Sequence, residues 1–313
     1  MKPKVLALCG ATASGKTAVS FELAKILPLE IVSMDAMQVY RCMDIGTAKP
    51  TKEEQALIPH HMIDVVEPWD SYSVALYQRD ARQKIDEILG RDKLPLLVGG
   101  TGMFLRALSM PLGYGGTGGD ETIRRRYETY AAEHGNEALH GLLLQRDQKA
   151  AGKLHPNDVR RVVRALEVMD LTGQKFSDQK MPSYADGPYQ ILPFVLVWDR
   201  AVLYERINQR VDRMVESGLL DEVKNLLNMG VKEEHQSMQS IGYKEWLPYL
   251  RGESDFETQK ELIKRRTRNY AKRQETWFKQ DPRIIKLQGD APPEDNAQQI
   301  KERYESFSTT SKA

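Results

Sequence analysis

The sequence predicts an α/β protein: a parallel sheet that opens with a glycine-rich turn and is interrupted by a mostly helical insertion. Three observations predict it. Short apolar runs, most of them separated by helical stretches, read as strands joined by crossover helices. The first run, Val5–Cys9, passes directly into Gly10-Ala11-Thr12-Ala13-Ser14-Gly15-Lys16-Thr17. The interval between the third and fourth runs is too long for a simple crossover and reads as helical.

The octapeptide spells G-x-x-x-x-G-K-T, and Thr17–Ile26 reads as the helix after it. Strand, glycine-rich turn and helix N-terminus is the setting of a phosphate-binding loop. Its backbone N–H groups turn inward and the helix dipole adds positive potential there. Lys16 would reach phosphate oxygens, and the Thr17 hydroxyl is placed to ligate Mg²⁺. The expected core is therefore of the P-loop NTPase-like kind.

The second run, Glu30–Ser33, leads into Ser33-Met34-Asp35-Ala36-Met37-Gln38. Residues past the carboxyl ends of neighbouring strands meet over the ligand in an open α/β sheet, so Asp35 is expected near the phosphates. Its spacing is compatible with a magnesium ligand, an N-cap or a general base. The third run, Leu94–Val98, ends in Gly99-Gly100-Thr101-Gly102. These glycines imply a close backbone approach, with the Thr101 hydroxyl available to a phosphate or leaving oxygen.

Breaker-rich stretches at Pro111–Gly119 and Met181–Pro188 bound the insertion. The organisation expected is a core in two parts, residues 1–113 and 189–290, a helical insertion over 114–188 and a polar, fraying tail over 291–313. Inside the insertion a helix starts at Pro156-Asn157-Asp158 and stops at Gly173. Val159, Val162, Val163, Leu166 and Asp170 share one side of it, and Arg160, Arg161 and Arg164 project opposite as a plausible phosphate-binding surface. The fourth and fifth strands are expected at Gln190–Val197 and Arg283–Leu287. Between them a basic helix over about 257–278 repeats Ile263, Tyr270 and Trp277 every seven residues, which should pack inward.

Of the 313 residues, 41% are hydrophobic and 28% charged, ordinary for a soluble globular protein. No apolar stretch approaches the ~20 residues of a membrane span, and no signal-peptide pattern opens the chain. Two cysteines, Cys9 and Cys42, make no disulfide framework, so a reducing, cytoplasmic setting is expected. The net charge of +1 conceals basic clusters at Arg124–Arg126, at Arg160, Arg161 and Arg164, and at Lys264–Arg273. A polyanion could be served locally without a basic pI.

The G-K-T loop alone admits a small-molecule kinase with an arginine lid, or an RNA-binding module without transfer chemistry. No N-K-x-D or D-x-x-G pairing supports a GTPase, and the second strand, interrupted by Ser33, supports a hydrolytic motor poorly. No H-E-x-x-H occurs, and the adjacent His60 and His61 are expected to make local hydrogen bonds rather than bind metal.

Further segments sharpen the reading: Asp35-Ala-Met-Gln-Val-Tyr-Arg41, Asp44-Ile-Gly-Thr-Ala-Lys-Pro50, His60-His-Met-Ile-Asp64, Asn157-Asp-Val-Arg-Arg161 with Arg164-Ala-Leu-Glu167, Ile241-Gly-Tyr-Lys-Glu245 and Tyr270-Ala-Lys-Arg-Gln-Glu-Thr-Trp-Phe278. With the glycine loop and Gly99–Gly102, the set resembles the bacterial tRNA dimethylallyltransferases, also called tRNA isopentenyltransferases, from residue 10 to residue 278. Ala36 departs from the serine usual there. The resemblance implies transfer of a prenyl group from dimethylallyl diphosphate to N6 of adenosine 37 of tRNA, with diphosphate as leaving group. It implies that Gly10, Ala11, Thr12, Ala13, Ser14, Gly15, Lys16 and Thr17 hold the donor with Mg²⁺ on Thr17. Thr101 and either Arg206 or Arg210 would assist, and Asp35 would be the base. Asp35, Ala36, Met37, Gln38, Thr101, Arg124, Val159, Arg160, Arg161, Val162, Val163, Arg164, Ser240, Ile241, Gly242, Tyr243 and Lys244 become expected tRNA contacts. Gln38 would read the adenine edge, and the insertion would grip the anticodon stem of tRNA. The enzyme is expected to act as a monomer.

Overall fold

Apolar residues line both faces of most of the strands, which dictates a sheet covered on both sides. The computed structural model describes residues 2–111, 119–179 and 183–309, so the middle of Pro111–Gly119 and the start of Met181–Pro188 lie outside the described residues. The chain divides into two compact units, Met1–Ser109 with Gly187–Ala313, and Met110–Asp186. The first contains β1 (Lys4–Gly10), α1 (Lys16–Ile26), β2 (Leu29–Ser33), α2 (Lys52–Leu57), β3 (His60–His61), α3 (Val74–Leu89), β4 (Leu94–Gly99) and α4 (Gly102–Leu108). The second contains α5 (Glu121–His134), α6 (Asn136–Arg146), α7 (Gln148–Ala151) and α8 (Val159–Thr172). The first resumes with β5 (Gln190–Val197), α9 (Arg200–Glu216), α10 (Leu219–Asn228), α11 (Leu247–Leu250), α12 (Phe256–Phe278), β6 (Ile285–Gln288) and α13 (Pro293–Thr309).

The sheet runs β3-β2-β4-β1-β5-β6 and every pairing is parallel. Alternation divides its side chains between two cores. Val5, Ala7, Cys9, Val32, Leu97 and Val195 pack beneath α3, α4, α10 and α12. Leu6, Leu8, Ile31, Leu96, Phe194 and Leu196 face α1 and α13. Because β4 lies between β2 and β1, the segments leaving those three strands emerge side by side.

Two expectations for this unit need correction. A sixth strand, β3, pairs His60 and His61 with Ile31 and Val32 of β2; two residues are too short for any periodic signal. The tail does not fray through its length: α13 runs to Thr309, and Ala297 and Ile300 are buried against the α1 side of the sheet. Its apolar residues recur at helical spacing, with Tyr304 packed on the same core, but polar neighbours dilute them.

In the helical unit α8 begins at Val159 and ends on Gly173 in the left-handed region at φ +67°. Val162, Val163 and Leu166 lie in a core with Tyr127, Leu139 and Leu143. Glu167, on the same helix, is fully buried and accepts hydrogen bonds from Asp120 N–H (2.7 Å) and Arg164 Nη1 (2.7 Å), with Arg124 Nε 3.0 Å away. Burial pushes its carboxyl up, but the bonds from Arg164, Asp120 and Arg124 outweigh this and hold it below the ordinary range. Asp170 is likewise held by Arg146 (2.7 Å) and the Tyr127 hydroxyl (2.8 Å).

Candidate active site

The glycine-rich turn leaves β1 in a conformation that its sequence requires. Gly10 and Gly15 take φ of +154° and +94°, and a Cβ on Gly10 would lie 2.6 Å from Ser14 Oγ. Ala13, at φ +63°, is the strained member. Two donors hold its segment from behind: Arg206 Nε donates to Ala13 O (2.9 Å) and Trp198 Nε1 to Ser14 O (2.9 Å). Lys16 folds back into the turn, donating to Gly10 O (3.1 Å) and Ala11 O (2.8 Å). Burial and then the nearby Arg210 charge pull its ammonium down to about 8, against the opposing pull of Asp35.

The turn after β2 is set by its own carboxylate. Asp35 Oδ1 accepts from Met37 N–H at 2.8 Å, an Asx turn; no described donor bonds to Oδ2. Thr101, at the start of α4, accepts from Ala36 N–H (3.2 Å), fastening the Asp35 turn to the end of β4. The close approach expected of Gly99 and Gly100 is real: a Cβ on Gly99 would lie 2.3 Å from Met34 O, and one on Gly100 2.1 Å from Gln274 Nε2. The three strand ends open on a cleft of about 1230 Å³, lined by Lys16, Thr17, Asp35, Arg210, Tyr270 and Gln274 among others.

The arginines of α9 separate clearly. Arg206 lies over the Trp198 ring at 4.3 Å and bonds to the loop backbone, so it shapes the loop. Arg210 faces Lys16 and Asp35; no described residue accepts a hydrogen bond from it, and burial lowers its guanidinium pKa while Asp35 opposes that fall. Both arginines line the cleft; Arg206 keeps its terminal nitrogens for an anion, while Arg210 has its whole guanidinium without a described acceptor. Among the described residues no group of three His, Cys, Asp or Glu side chains could hold a metal. A divalent ion at Thr17 would therefore take most of its ligands from phosphate oxygens and water, as Mg²⁺ readily does. His60 makes the local bond expected, to Ile58 O, whereas His61 reaches Glu30 Oε2 on β2, 31 residues away; both are 2.7 Å.

A family described as IPP transferase matches residues 38–281, and one described as isopentenyl transferase matches residues 3–60. The tRNA dimethylallyltransferase of Carboxydothermus hydrogenoformans is 47% identical over 91% of both chains, and that of Bacillus velezensis 46% identical over 97% of this chain and 96% of its own. This chain belongs to the tRNA dimethylallyltransferase family. Among solved structures, the tRNA isopentenylpyrophosphate transferase of Bacillus halodurans covers all of both chains at 42% identity and TM-score 0.74. A eukaryotic dimethylallyltransferase described as acting on tRNA aligns with TM-score 0.80 at 29% identity, over 97% of this chain and 80% of its own. No described helix is long and apolar enough to cross a membrane.

Several family-motif residues face inward rather than toward a substrate. Val162 and Val163 are core, Arg164 is turned onto Glu167 and Arg161 lies 3.3 Å from Asp158, so among the described residues only Arg160 of the three α8 arginines has no carboxylate partner. In the dimethylallyltransferase motif Ile241–Glu245, Gly242 takes φ +96° and donates its N–H to the buried Glu245 (2.7 Å), which also holds Arg266 (2.6 Å). Tyr243 is fully buried; Ser240, Ile241 and Lys244 line the cleft. Gln38 is engaged at both ends, accepting from Ser33 Oγ (2.8 Å) and donating to Thr47 O and Ala48 O (both 3.3 Å).

Sequence reasoning missed Glu222 and Gln274. From α10, Glu222 Oε2 accepts from Asp44 N–H and Ile45 N–H (both 2.8 Å), and Oε1 from Gly46 N–H (3.0 Å) and the Tyr243 hydroxyl (2.6 Å). Gly46 leaves room for the Tyr243 ring, since a Cβ there would lie 2.5 Å from it. Lys49, nearly sealed, completes this wall by donating to Tyr40 O (2.8 Å), Asp44 (2.6 Å) and Asp64 (2.7 Å). The Asp44–Pro50 motif was thus visible, but its partners on α10 carry no local signal.

Proposed function

We propose that this cleft transfers the dimethylallyl group of dimethylallyl diphosphate to N6 of adenosine 37 in a tRNA anticodon loop. A bond forms between N6 and C1 of the prenyl chain, and the C1–O bond breaks with its electron pair leaving on diphosphate. The N6 proton goes to the Asp35 carboxylate. The observation that carries this reading is the sharing of one cleft by Asp35, Gly99, Gly100 and the loop residues Thr12–Thr17 at the ends of adjacent strands, with Thr101 fastened to the Asp35 turn through Ala36 N–H. A kinase would use the same loop and could use the same carboxylate; the family match over residues 38–281 favours prenyl transfer.

Amide N–H groups of the loop, Lys16 and Arg210 stabilise the charge that develops on the leaving diphosphate, and such preorganised donors are worth most inside a cleft. Mg²⁺, held by Thr17 and the diphosphate, would neutralise part of the same charge. An exocyclic adenine amine is a poor nucleophile because its lone pair is delocalised, and Asp35 offsets this by accepting the proton as the C–N bond forms. Ser33, Gln38 and Thr101 orient the Asp35 turn. Arg160 on α8 would meet tRNA phosphates, joined by Arg161, Arg164 and Arg124 where phosphate replaces their carboxylate partners Asp158 and Glu167, and Ser240, Ile241 and Lys244 would face the loop nucleotides. A cytoplasmic location suits this substrate.

The test is Asp35→Asn, which keeps the Asx-turn acceptor and removes the base. We expect kcat for prenyl transfer to fall by about 10²–10⁴-fold, with the affinity for inorganic diphosphate little changed. Near-normal turnover would sink the base assignment.

A further inference from the structure

The phosphate loop, the Gly99–Gly102 turn and the Asp35 turn belong to three strands, yet a leaving group, an assisting hydroxyl and a base must be registered to each other within fractions of an ångström. Hydrogen bonds of the sheet fix the strands, not the loops beyond them. One side chain spans the gap. Gln274 on α12 is 6% exposed, and both ends of its amide are bonded: Oε1 accepts from Thr12 N–H (3.0 Å) and Nε2 donates to Gly100 O (3.0 Å).

The surroundings leave little latitude for that amide. A Cβ on Gly100 would lie 2.1 Å from Gln274 Nε2 and 3.2 Å from Gly10 O, so it could enter only by displacing the amide. One turn away on the same helix, the Tyr270 hydroxyl lies near Thr101 and Gln274, its pKa pushed up to about 12 chiefly by burial and then by Asp35. Three residues beyond Gln274, Trp277 occupies the space a Gly102 Cβ would need, 2.1 Å away. Positions 270, 274 and 277 lie on one face of α12, and that face meets residues 100–102. From Thr101 the chain of contacts continues to Ala36 N–H and so to the Asp35 turn.

We propose that Gln274 is a positioning residue that holds the diphosphate loop in register with Thr101 and Asp35. The Thr12 amide is committed to Gln274 rather than to phosphate, so the contribution of Gln274 to binding is small. Its contribution to the rate is large, because displacement of reacting groups by about 1 Å costs on the order of 10²-fold. Glutamine fits this task where its isosteres do not: the amide presents one acceptor and one donor to a fixed donor and a fixed acceptor. A carboxylate at the same place would keep Thr12 N–H but face Gly100 O with a second acceptor; protonated, it would donate again.

This inference rests on the prenyl-transfer reading, so the wild-type protein is assayed alongside with dimethylallyl diphosphate, Mg²⁺ and unmodified tRNA. Gln274→Met removes both bonds at nearly constant volume; Gln274→Glu removes one of them reversibly. Each is measured for kcat, for binding of inorganic diphosphate by calorimetry, and for thermal unfolding. We expect Gln274→Met to lose about 10²-fold in kcat with diphosphate affinity close to wild type. We expect the kcat of Gln274→Glu, relative to wild type, to recover as pH is lowered from about 8 to about 6, because a buried carboxyl takes up its proton in this range. If Gln274→Met turns over normally, or loses diphosphate affinity in step with kcat, the positioning role is wrong. If the Gln274→Glu ratio stays flat with pH, the two-ended brace is wrong. Absence of prenyl transfer in the wild type would instead overturn the function on which the inference rests.

Discussion

Glu222 offers a prediction whose size follows from the structure. Glu222→Ala strips the acceptor from three consecutive backbone N–H groups and from the Tyr243 hydroxyl. The Asp44 amide is exposed and turns to water at little cost. The other three donors are partly buried, and at about 1 kcal/mol or slightly more for each one left unpaired the loss is about 3–4 kcal/mol. For a unit of this size that lowers Tm by roughly 10 °C. Tyr243→Phe leaves Glu222 its three amides, so it should cost only about 1 kcal/mol. In the double variant the Tyr243 part of the loss is already included, so the two effects should add to less than their sum. Urea unfolding followed by tryptophan fluorescence, with calorimetry for Tm, measures all three. A loss below about 1 kcal/mol for Glu222→Ala, or strict additivity, would refute the claim that one carboxylate fastens the Asp44–Pro50 loop to the Ser240–Lys244 turn.

Two further predictions concern the cleft. Arg206→Ala should lower Tm, because it frees the strained Ala13 segment, whereas Arg210→Ala should leave Tm unchanged or raise it, because a desolvated charge beside Lys16 is removed. On activity Arg210→Ala should be the more damaging, with kcat for prenyl transfer down by about 10²–10³-fold; equal losses of Tm and kcat in both variants would contradict the division of roles. For Lys16, a depressed lysine pKa means that the unfolded chain binds the proton more tightly than the free fold. Stability of the free protein therefore rises with pH above about 8, where Lys16 sheds its charge. Diphosphate restores that charge, so affinity for inorganic diphosphate, measured by calorimetry, should weaken as pH rises through about 8. Lys16→Arg stays charged and should flatten that part of the profile; an unchanged profile would remove Lys16 as its cause.

Much of this was readable from residues in order along the chain. The turn Gly10–Thr17 declares itself because its chemistry lies in one contiguous segment, and Gly99–Gly102 predicts a close approach because glycine in a strand-to-helix turn has few other uses. The helix Val159–Thr172 was legible from its cap at Gly173 and its valine stripe. What escaped was long-range. A glutamate on an amphipathic helix looks like any solvated carboxylate, and only the fold brings Glu222 to amides at 44–46. Gln274 is hidden in the same way, 262 residues from the Thr12 amide it accepts. For the basic cluster on α8, composition counts guanidinium groups without their partners; Glu167 lies three residues beyond Arg164 on the same helix and was available as the clue. Arg206 and Arg210 could not be separated in sequence, since four residues along a helix place both on one face.

The central claim is that this cleft alkylates an adenine amine rather than phosphorylating a small molecule. The direct measurement is mass spectrometry of nucleosides from unmodified tRNA incubated with the full chain, Mg²⁺ and dimethylallyl diphosphate, with labelled ATP in a parallel reaction. One isopentenyl group per modified tRNA is expected, on N6 of adenosine 37, matched by one diphosphate released and abolished when adenosine 37 is replaced. Phosphoryl transfer from ATP to a substrate, with tRNA left unprenylated, would contradict it.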